Sequence, residues 1–308
     1  MLTCLNGTKL VLFVKAQIIF YRKKMKNIIV AEAQGFCWGV RRALEIVEKL
    51  GPLSILGDLI HNKQVVALLE AKGKQVIHEV TGKEQTPIAV TAHGTTVENV
   101  GRIQHLGLEL VDTTCPLVSS IYEAGRELEA QGYRILILGD AQHVEVKGIA
   151  SRMQEPIIIN DETCLAQVNL PNRIGVISQS TFSPKKFDHL VELIRLRVPE
   201  VKVKNTICAP TKRRQIAAEK LAKQVEVMIV VGGFHSSNTK KLAQQTAQYV
   251  ETHHIETADQ LEESWFAAKD EIGITAGAST PDWIIEAVAN KIASFAEEAV
   301  IVKEGHES

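Results

Sequence analysis

The feature that most constrains this chain is a pattern that occurs three times. Each copy opens with a cysteine at the head of an amphipathic helix: Cys37, Cys115 and Cys208. After Cys37 the apolar positions Val40, Ala43, Leu44, Val47 and Leu50 recur with a helical period. Pro116, a residue favoured at a first helical position, follows Cys115 and precedes Leu117, Val118, Ile121 and Leu128. Pro210, Ile216, Ala217, Leu221 and Val225 follow Cys208. Each helix leads into an apolar run closed by glycine (54–57, 135–139 and 228–232), which reads as a buried parallel strand. Twenty residues separate Cys37 from Gly57, and 24 separate Cys115 from Gly139 and Cys208 from Gly232. A histidine stands three or four residues beyond each glycine: His61, His143 and His235. A second strand then ends in a turn rich in small and hydroxyl side chains, at 89–96, 175–181 and 273–280.

This pattern predicts an α/β chain of three similar small units, each about 80–95 residues with a parallel sheet and flanking helices. The expected boundaries are 26–115, 116–206 and 207–300, between a leader 1–25 outside the fold and a tail 301–308. The apolar strand 28–31 is expected to open the first unit. In open α/β sheets, ligands bind beyond the carboxyl ends of the strands. Three such ends, arranged pseudo-threefold, make one central pocket with one cysteine and one polar turn from each unit.

Charge narrows the ligand. Lys and Arg total 35 against 36 Asp and Glu, so the chain has no nucleic-acid footprint and must hold any anion locally. The apolar stretch 10–20 is eleven residues long, carries Lys15 and is too short to span a bilayer. Arg22, Lys23, Lys24 and Lys26 come after it, whereas an export signal carries its charges first. Five scattered cysteines, an odd number, do not make a disulfide scaffold. The expectation is a cytoplasmic protein without membrane contact, whose separated thiols serve metal binding or catalysis.

A helix N-terminus favours a thiolate, because the dipole and free N–H groups lower the thiol pKa. No C-x-x-C pair of the kind structural zinc uses is present. Iron–sulfur clusters ordinarily take four thiolates; three would leave one iron open as a Lewis acid. Buried structural cysteines, or zinc on the same three thiols, are the alternative readings. Cys4 in the leader and Cys164 in an apparent loop read as non-ligands. His61, His93 and His143 with Ser236, Asn238 and Ser279 offer donors for phosphate oxygens without lysine or arginine. Glu145 is the candidate acid, and in an extended loop it shares a face with His143; a solvated loop carboxylate is the other reading. His253 and His254 read as surface residues.

The segments Gly35-Phe-Cys37-Trp-Gly39-Val-Arg-Arg-Ala43, Ala92-His93-Gly94, Thr114-Cys115-Pro116-Leu-Val118, Ser236-Ser-Asn238 and Thr275-Ala-Gly-Ala-Ser279 occur in this order. Together they resemble the 4-hydroxy-3-methylbut-2-enyl diphosphate reductase family, from about Lys26 to the helix after Asp282. The resemblance implies one [4Fe-4S] cluster per chain on Cys37, Cys115 and Cys208, with the substrate's allylic oxygen at the fourth iron. It implies that His61, His93, His143, Ser236, Ser237, Asn238 and Ser279 hold a diphosphate. Glu145 would deliver protons as the C–O bond breaks, with Ser180 and Thr181 near the hydroxyl. The implied reaction is a reductive dehydroxylation giving isopentenyl and dimethylallyl diphosphates, the last step of the methylerythritol phosphate route, with ferredoxin or flavodoxin as electron donor. Two departures are visible: Val144 where the family commonly has proline, and Ser180 where it commonly has threonine. A non-catalytic anion-binding or redox-sensing protein is the rival reading; it would keep the thiols and donors but not need Glu145.

Overall fold

The computed structural model describes residues 25–84 and 86–304, and every strand pairing among them is parallel. The described chain opens on β1 (Met25–Val30) and passes through a turn at Gly35 into α1 (Trp38–Lys49). The strands β2 (Leu53–Leu56), β3 (Lys74–Ile77), β4 (Ile88–Ala89) and β5 (Leu110–Val111) follow, connected through α2 (Lys63–Ala71) and α3 (Val97–His105). Next, α4 (Pro116–Ala130) leads to β6 (Arg134–Leu138), β7 (Ile157–Ile159), β8 (Arg173–Ser178) and β9 (Glu200–Val203). Between these strands lie α5 (Val144–Ala150), α6 (Glu162–Ala166) and α7 (Pro184–Arg195). Finally, α8 (Ala209–Ala222) opens a segment with β10 (Val227–Val231), β11 (Thr252–Ile255), β12 (Glu271–Ala276) and β13 (Glu298–Lys303). Its helices after α8 are α9 (Ser237–Thr246) and α10 (Asp282–Ala293).

The three sheets run β3-β2-β4-β5, β7-β6-β8-β9 and β11-β10-β12-β1-β13. One plan repeats: the first strand of a unit is central, the second lies to one side of it and the third to the other. The point where the chain changes direction falls between β2 and β4, between β6 and β8, and between β10 and β12. Beyond the carboxyl ends of such a pair an open sheet leaves a crevice. Crossover helices cover both faces of a parallel sheet, so its central strands are apolar throughout. Ile135, Leu136, Ile137 and Leu138 of β6 and all of β10 are buried accordingly.

One boundary differs from expectation. The strand 28–31 was expected to open the first unit, but β1 is the fourth strand of the third sheet, with Asn27 opposite Glu271 and Val30 opposite Ile274. On its other side Met25 faces Glu298 and Val30 faces Lys303. Met25 of the expected leader and residues 301–303 of the expected tail are thus paired strand. An apolar run declares its burial but not its sheet, because pairing is a long-range property. The closure has a logic: β5 and β9 run directly to Cys115 and Cys208, and β1 runs to Cys37. Each fourth strand hands the chain to the next unit's cysteine. Residues 1–24, with Cys4, and 305–308 lie outside the described residues.

Two local expectations also change. Cys164 lies in the five-residue helix α6, capped by Asp161, whose carboxylate accepts from the Cys164 N–H at 2.8 Å; so short a helix leaves no periodic signal. His253 and His254 are half-buried on β11. His253 stacks on Trp265 at 3.8 Å, and His254 Nε2 meets the Gly232 carbonyl at 2.9 Å. No helix among the described residues is long and apolar enough to cross a membrane.

Candidate active site

Cys37, Cys115 and Cys208 are the N-caps of α1, α4 and α8, and none uses its side chain to cap. An N-cap normally offers an oxygen to the first-turn N–H groups. A thiol is a weak acceptor, so these side chains stay free for the cavity in front of the helices. Gly39 lies so close to Cys115 that a Cβ there would meet its Sγ at 2.4 Å. Cys208 Sγ lies 3.1 Å from Thr211 Oγ1, one helical turn on. The helix N-termini do not lower the thiol pKa values of Cys115 and Cys208 overall. Burial pushes Cys115 and Cys208 up, and the opposing pull of the first-turn groups of Leu117, Val118 and Thr211 is the weaker effect. Deprotonation of these two therefore calls for a positive partner, which a bound metal supplies.

Three imidazoles stand beside the thiols. His61 follows β2, His93 follows β4 and His143 follows β6. The His61 and His93 rings stack at 4.3 Å, and His143 meets them edge-on at 5.3 and 5.5 Å. Burial lowers the pKa of all three, that of His143 to about 3. Nε2 of His61, Nδ1 of His93 and both amide atoms of Asn238 are buried without a hydrogen-bond partner. Such groups cost about 1–3 kcal/mol each and persist where a ligand satisfies them. Opposite them is the N-terminus of α9, where Ser236 caps by accepting from the Thr239 N–H at 3.3 Å. Ser237 and Asn238 occupy its first turn, whose N–H groups and dipole suit an anion. Ser279, after β12, donates its hydroxyl to the His61 carbonyl at 3.2 Å and ties the third unit to the first.

Glu145 joins the two groups. The extended loop in which Glu145 would share a face with His143 does not form: His143 is the N-cap of α5 and its Nδ1 accepts from the Glu145 N–H at 3.1 Å. Val144 takes the first helical position, where proline is favoured but not required, and α5 forms with valine there. The Glu145 carboxyl is 1% exposed. Its Oε1 accepts from the Ser180 N–H at 2.6 Å and its Oε2 from the Ser180 hydroxyl at 2.8 Å. Burial raises its pKa above the ordinary carboxylate value, against the pull of Ser180 and of the Lys241 charge.

The expected site residues all line one cavity: Cys37, Cys115, Cys208, His61, His93, His143, Glu145, Ser180, Thr181, Ser236, Ser237, Asn238 and Ser279. Val40, Ala92, Leu117, Val118 and Pro210, with Gly39, Thr211 and Ala278, complete its wall. His235, the third repeat histidine, faces a neighbouring groove with Lys186, Lys240 and Lys241 instead. Three contributors escaped sequence reasoning: Thr211, Arg214 and Lys241. Thr211 stands three residues after Cys208 and Lys241 four after Ser237, spacings that share a helix face. Lys241 donates to the Thr181 carbonyl at 2.9 Å, and burial brings its pKa down to about 8.

The donor set fits a polynuclear cluster. Among the described residues, no three His, Cys, Asp or Glu side chains close up into a group that could hold one metal ion. The three thiols nonetheless line one cavity, and thiolates are the ligands an iron–sulfur cluster takes. The orphaned imidazole and amide atoms, together with the α9 N-terminus, fit a phosphorylated ligand beside it.

Known proteins match on the same ground. The LytB protein family matches residues 28–293. The 4-hydroxy-3-methylbut-2-enyl diphosphate reductase of Geobacter sulfurreducens is 39% identical over 275 residues, spanning 87% of this chain and 98% of its own. That of Geotalea daltonii is 40% identical over 279 residues, 88% of this chain and 99% of its own. A solved structure of (E)-4-hydroxy-3-methyl-but-2-enyl diphosphate reductase, the terminal enzyme of the non-mevalonate pathway, is 37% identical, with a TM-score of 0.64 over 88% of this chain and 100% of that one. The structure of the Plasmodium falciparum E-1-hydroxy-2-methyl-but-2-enyl-4-diphosphate reductase is 26% identical, with a TM-score of 0.86 over 92% of this chain and 94% of that one. With its threefold α/β architecture and a family match over most of its length, the chain belongs to the LytB family, that of the 4-hydroxy-3-methylbut-2-enyl diphosphate reductases.

Proposed function

We propose that this enzyme reduces (E)-4-hydroxy-3-methylbut-2-enyl diphosphate to isopentenyl and dimethylallyl diphosphates in the cytoplasm. Two electrons and two protons enter, the allylic C–O bond breaks, and the hydroxyl leaves as water. A [4Fe-4S] cluster held by Cys37, Cys115 and Cys208 supplies one-electron transfer and a Lewis-acidic iron when bound. Ferredoxin or flavodoxin is the fitting class of donor.

The chain's own residues divide the remaining work. His61, His93 and His143 take the diphosphate together with Ser236, Ser237, Asn238 and Ser279. The imidazoles are buried and neutral without ligand; an anion against them favours their protonation. Burial raises the Glu145 pKa and so favours its protonated form, and the carboxyl donates its proton to the departing hydroxyl. Ser180 fixes both carboxyl oxygens, so the acid is aimed before substrate arrives. The apolar wall of Val40, Ala92, Leu117 and Val118 excludes water from the reacting end.

The observation that carries this reading is the fully buried Glu145, held by Ser180 in a cavity shared by the thiols and the imidazoles. A binding or sensing protein has no use for a buried acid in that place. Glu145→Gln keeps the shape and removes the proton. Turnover is expected to fall by at least 100-fold, the order supplied by one general acid, with iron content and diphosphate affinity unchanged. Full turnover in the variant would remove Glu145 from the reaction.

A further inference from the structure

Arg214 lies on α8, six residues after Cys208, and is 5% exposed. Its Nη2 donates to the Gly35 carbonyl at 2.6 Å and to that of Gln34 at 3.4 Å, and its Nη1 donates to Pro210 at 3.4 Å. Its Nε is buried without a partner. Every acceptor it finds is a neutral backbone carbonyl, whereas a buried cation ordinarily needs an opposite charge. Arginine does not escape by losing its proton. The attractive charges acting on it most strongly are Cys37 and Cys208, and Arg213 and Arg41 oppose them. The carbonyls that hold the guanidinium flank two of the three cysteines: Gly35 lies two residues before Cys37 and Pro210 two residues after Cys208.

We propose that Arg214 is a positioning residue for the thiolate centre: its fixed buried charge balances Cys37 and Cys208 and raises the reduction potential of the cluster they hold. The inference rests on the function proposed above. Its geometry is rigid. Gly35 has φ +71°, and a Cβ there would meet Asp282 Oδ1 at 2.3 Å, so the turn is confined between Asp282 and the guanidinium. Two residues on, the Cys37 N–H donates to the Ala278 carbonyl at 3.1 Å. The guanidinium is therefore tied to the turn that leads into Cys37, and that turn is pinned on both sides. Reduction adds negative charge to an anionic centre, and net charge is one of the factors that set cluster potentials. A preorganised cation favours the reduced form without reorganising.

The test is a redox titration of the visible and paramagnetic signals of the reconstituted full chain, comparing wild type, Arg214→Gln and Arg214→Lys. In Arg214→Gln the one-electron equilibrium is expected to shift at least tenfold toward the oxidised form, about 59 mV. Arg214→Lys keeps the charge and should stay nearer wild type, and the KM for the diphosphate should not change in either. A loaded Arg214→Gln protein with the wild-type potential overturns the proposal. If glutamine abolishes cluster uptake while lysine permits it, the need for charge is supported. If neither variant takes up a cluster, the residue shapes the turn and does not act by charge, and the proposal fails. A wild-type chain that takes up no cluster would sink the proposed function as well, which separates the two failures.

Discussion

Glu145 and the three histidines are perturbed by one cause with opposite consequences. Burial penalises the charged form, so it raises the carboxyl and lowers the imidazoles. Each folded histidine binds fewer protons than its unfolded counterpart below 6.5, down to about 3 for His143. The stability gained by keeping them neutral is therefore present above 6.5 and lost as pH falls through the folded values. Glu145 runs the other way: its contribution is complete below 4.5 and fades as pH rises through its folded value. With three imidazoles against one carboxyl, the metal-free protein should melt at progressively lower temperature as pH drops below 6.5. Inorganic diphosphate should reverse the effect, because its charge favours imidazolium. Its binding near neutrality should take up on the order of one proton, read by calorimetry in buffers of different ionisation enthalpy. Equal heats in all buffers would show that the histidines do not meet the anion.

Among the elements, the helix heads carry the site and the sequence marks them unequally. α1 and α4 show clear apolar stripes, with Val40, Ala43 and Val47 buried on one and Val118, Ile121 and Leu128 on the other. On α8 the pattern misleads. Ile216, read as part of its apolar face, is 68% exposed, while Thr211, Arg214 and Gln215 are buried. A helix face turned toward thiols buries polar side chains, so hydrophobic periodicity fails where the site begins. For the same reason Thr211 and Arg214 went unnoticed, while the cysteines and the hydroxyl-rich turns stood out. The α5 cap was hidden differently, since histidine is an uncommon N-cap and the helix is seven residues long. Gly39 supplies the element-scale test. Helix propensity favours alanine there by about 1 kcal/mol, but its Cβ would stand 2.4 Å from Cys115 Sγ. The contact should win: Gly39→Ala is expected to keep its helical circular dichroism and lose most of its iron. Full iron loading in that variant would contradict the arrangement of Cys115 against α1.

For the whole molecule, three sheets of one strand plan bring their switch points to a single cavity, and the N-terminal strand β1 completes the third sheet. The repeat was legible because each copy carries its own cysteine, glycine-ended strand and polar turn. The closure was not, because β1 has no feature that names β12 and β13 as its neighbours. The arrangement makes the centre a joint property of all units, since each contributes one thiol and at least one polar turn. Anaerobic purification of the full chain, with iron, sulfide and zinc analysis followed by addition of the diphosphate substrate under a reduced dye, tests this most directly. About four irons per chain, with dye oxidation only when substrate is present, is the predicted result. Zinc in place of iron, or a loaded cluster that never oxidises the dye, would contradict it.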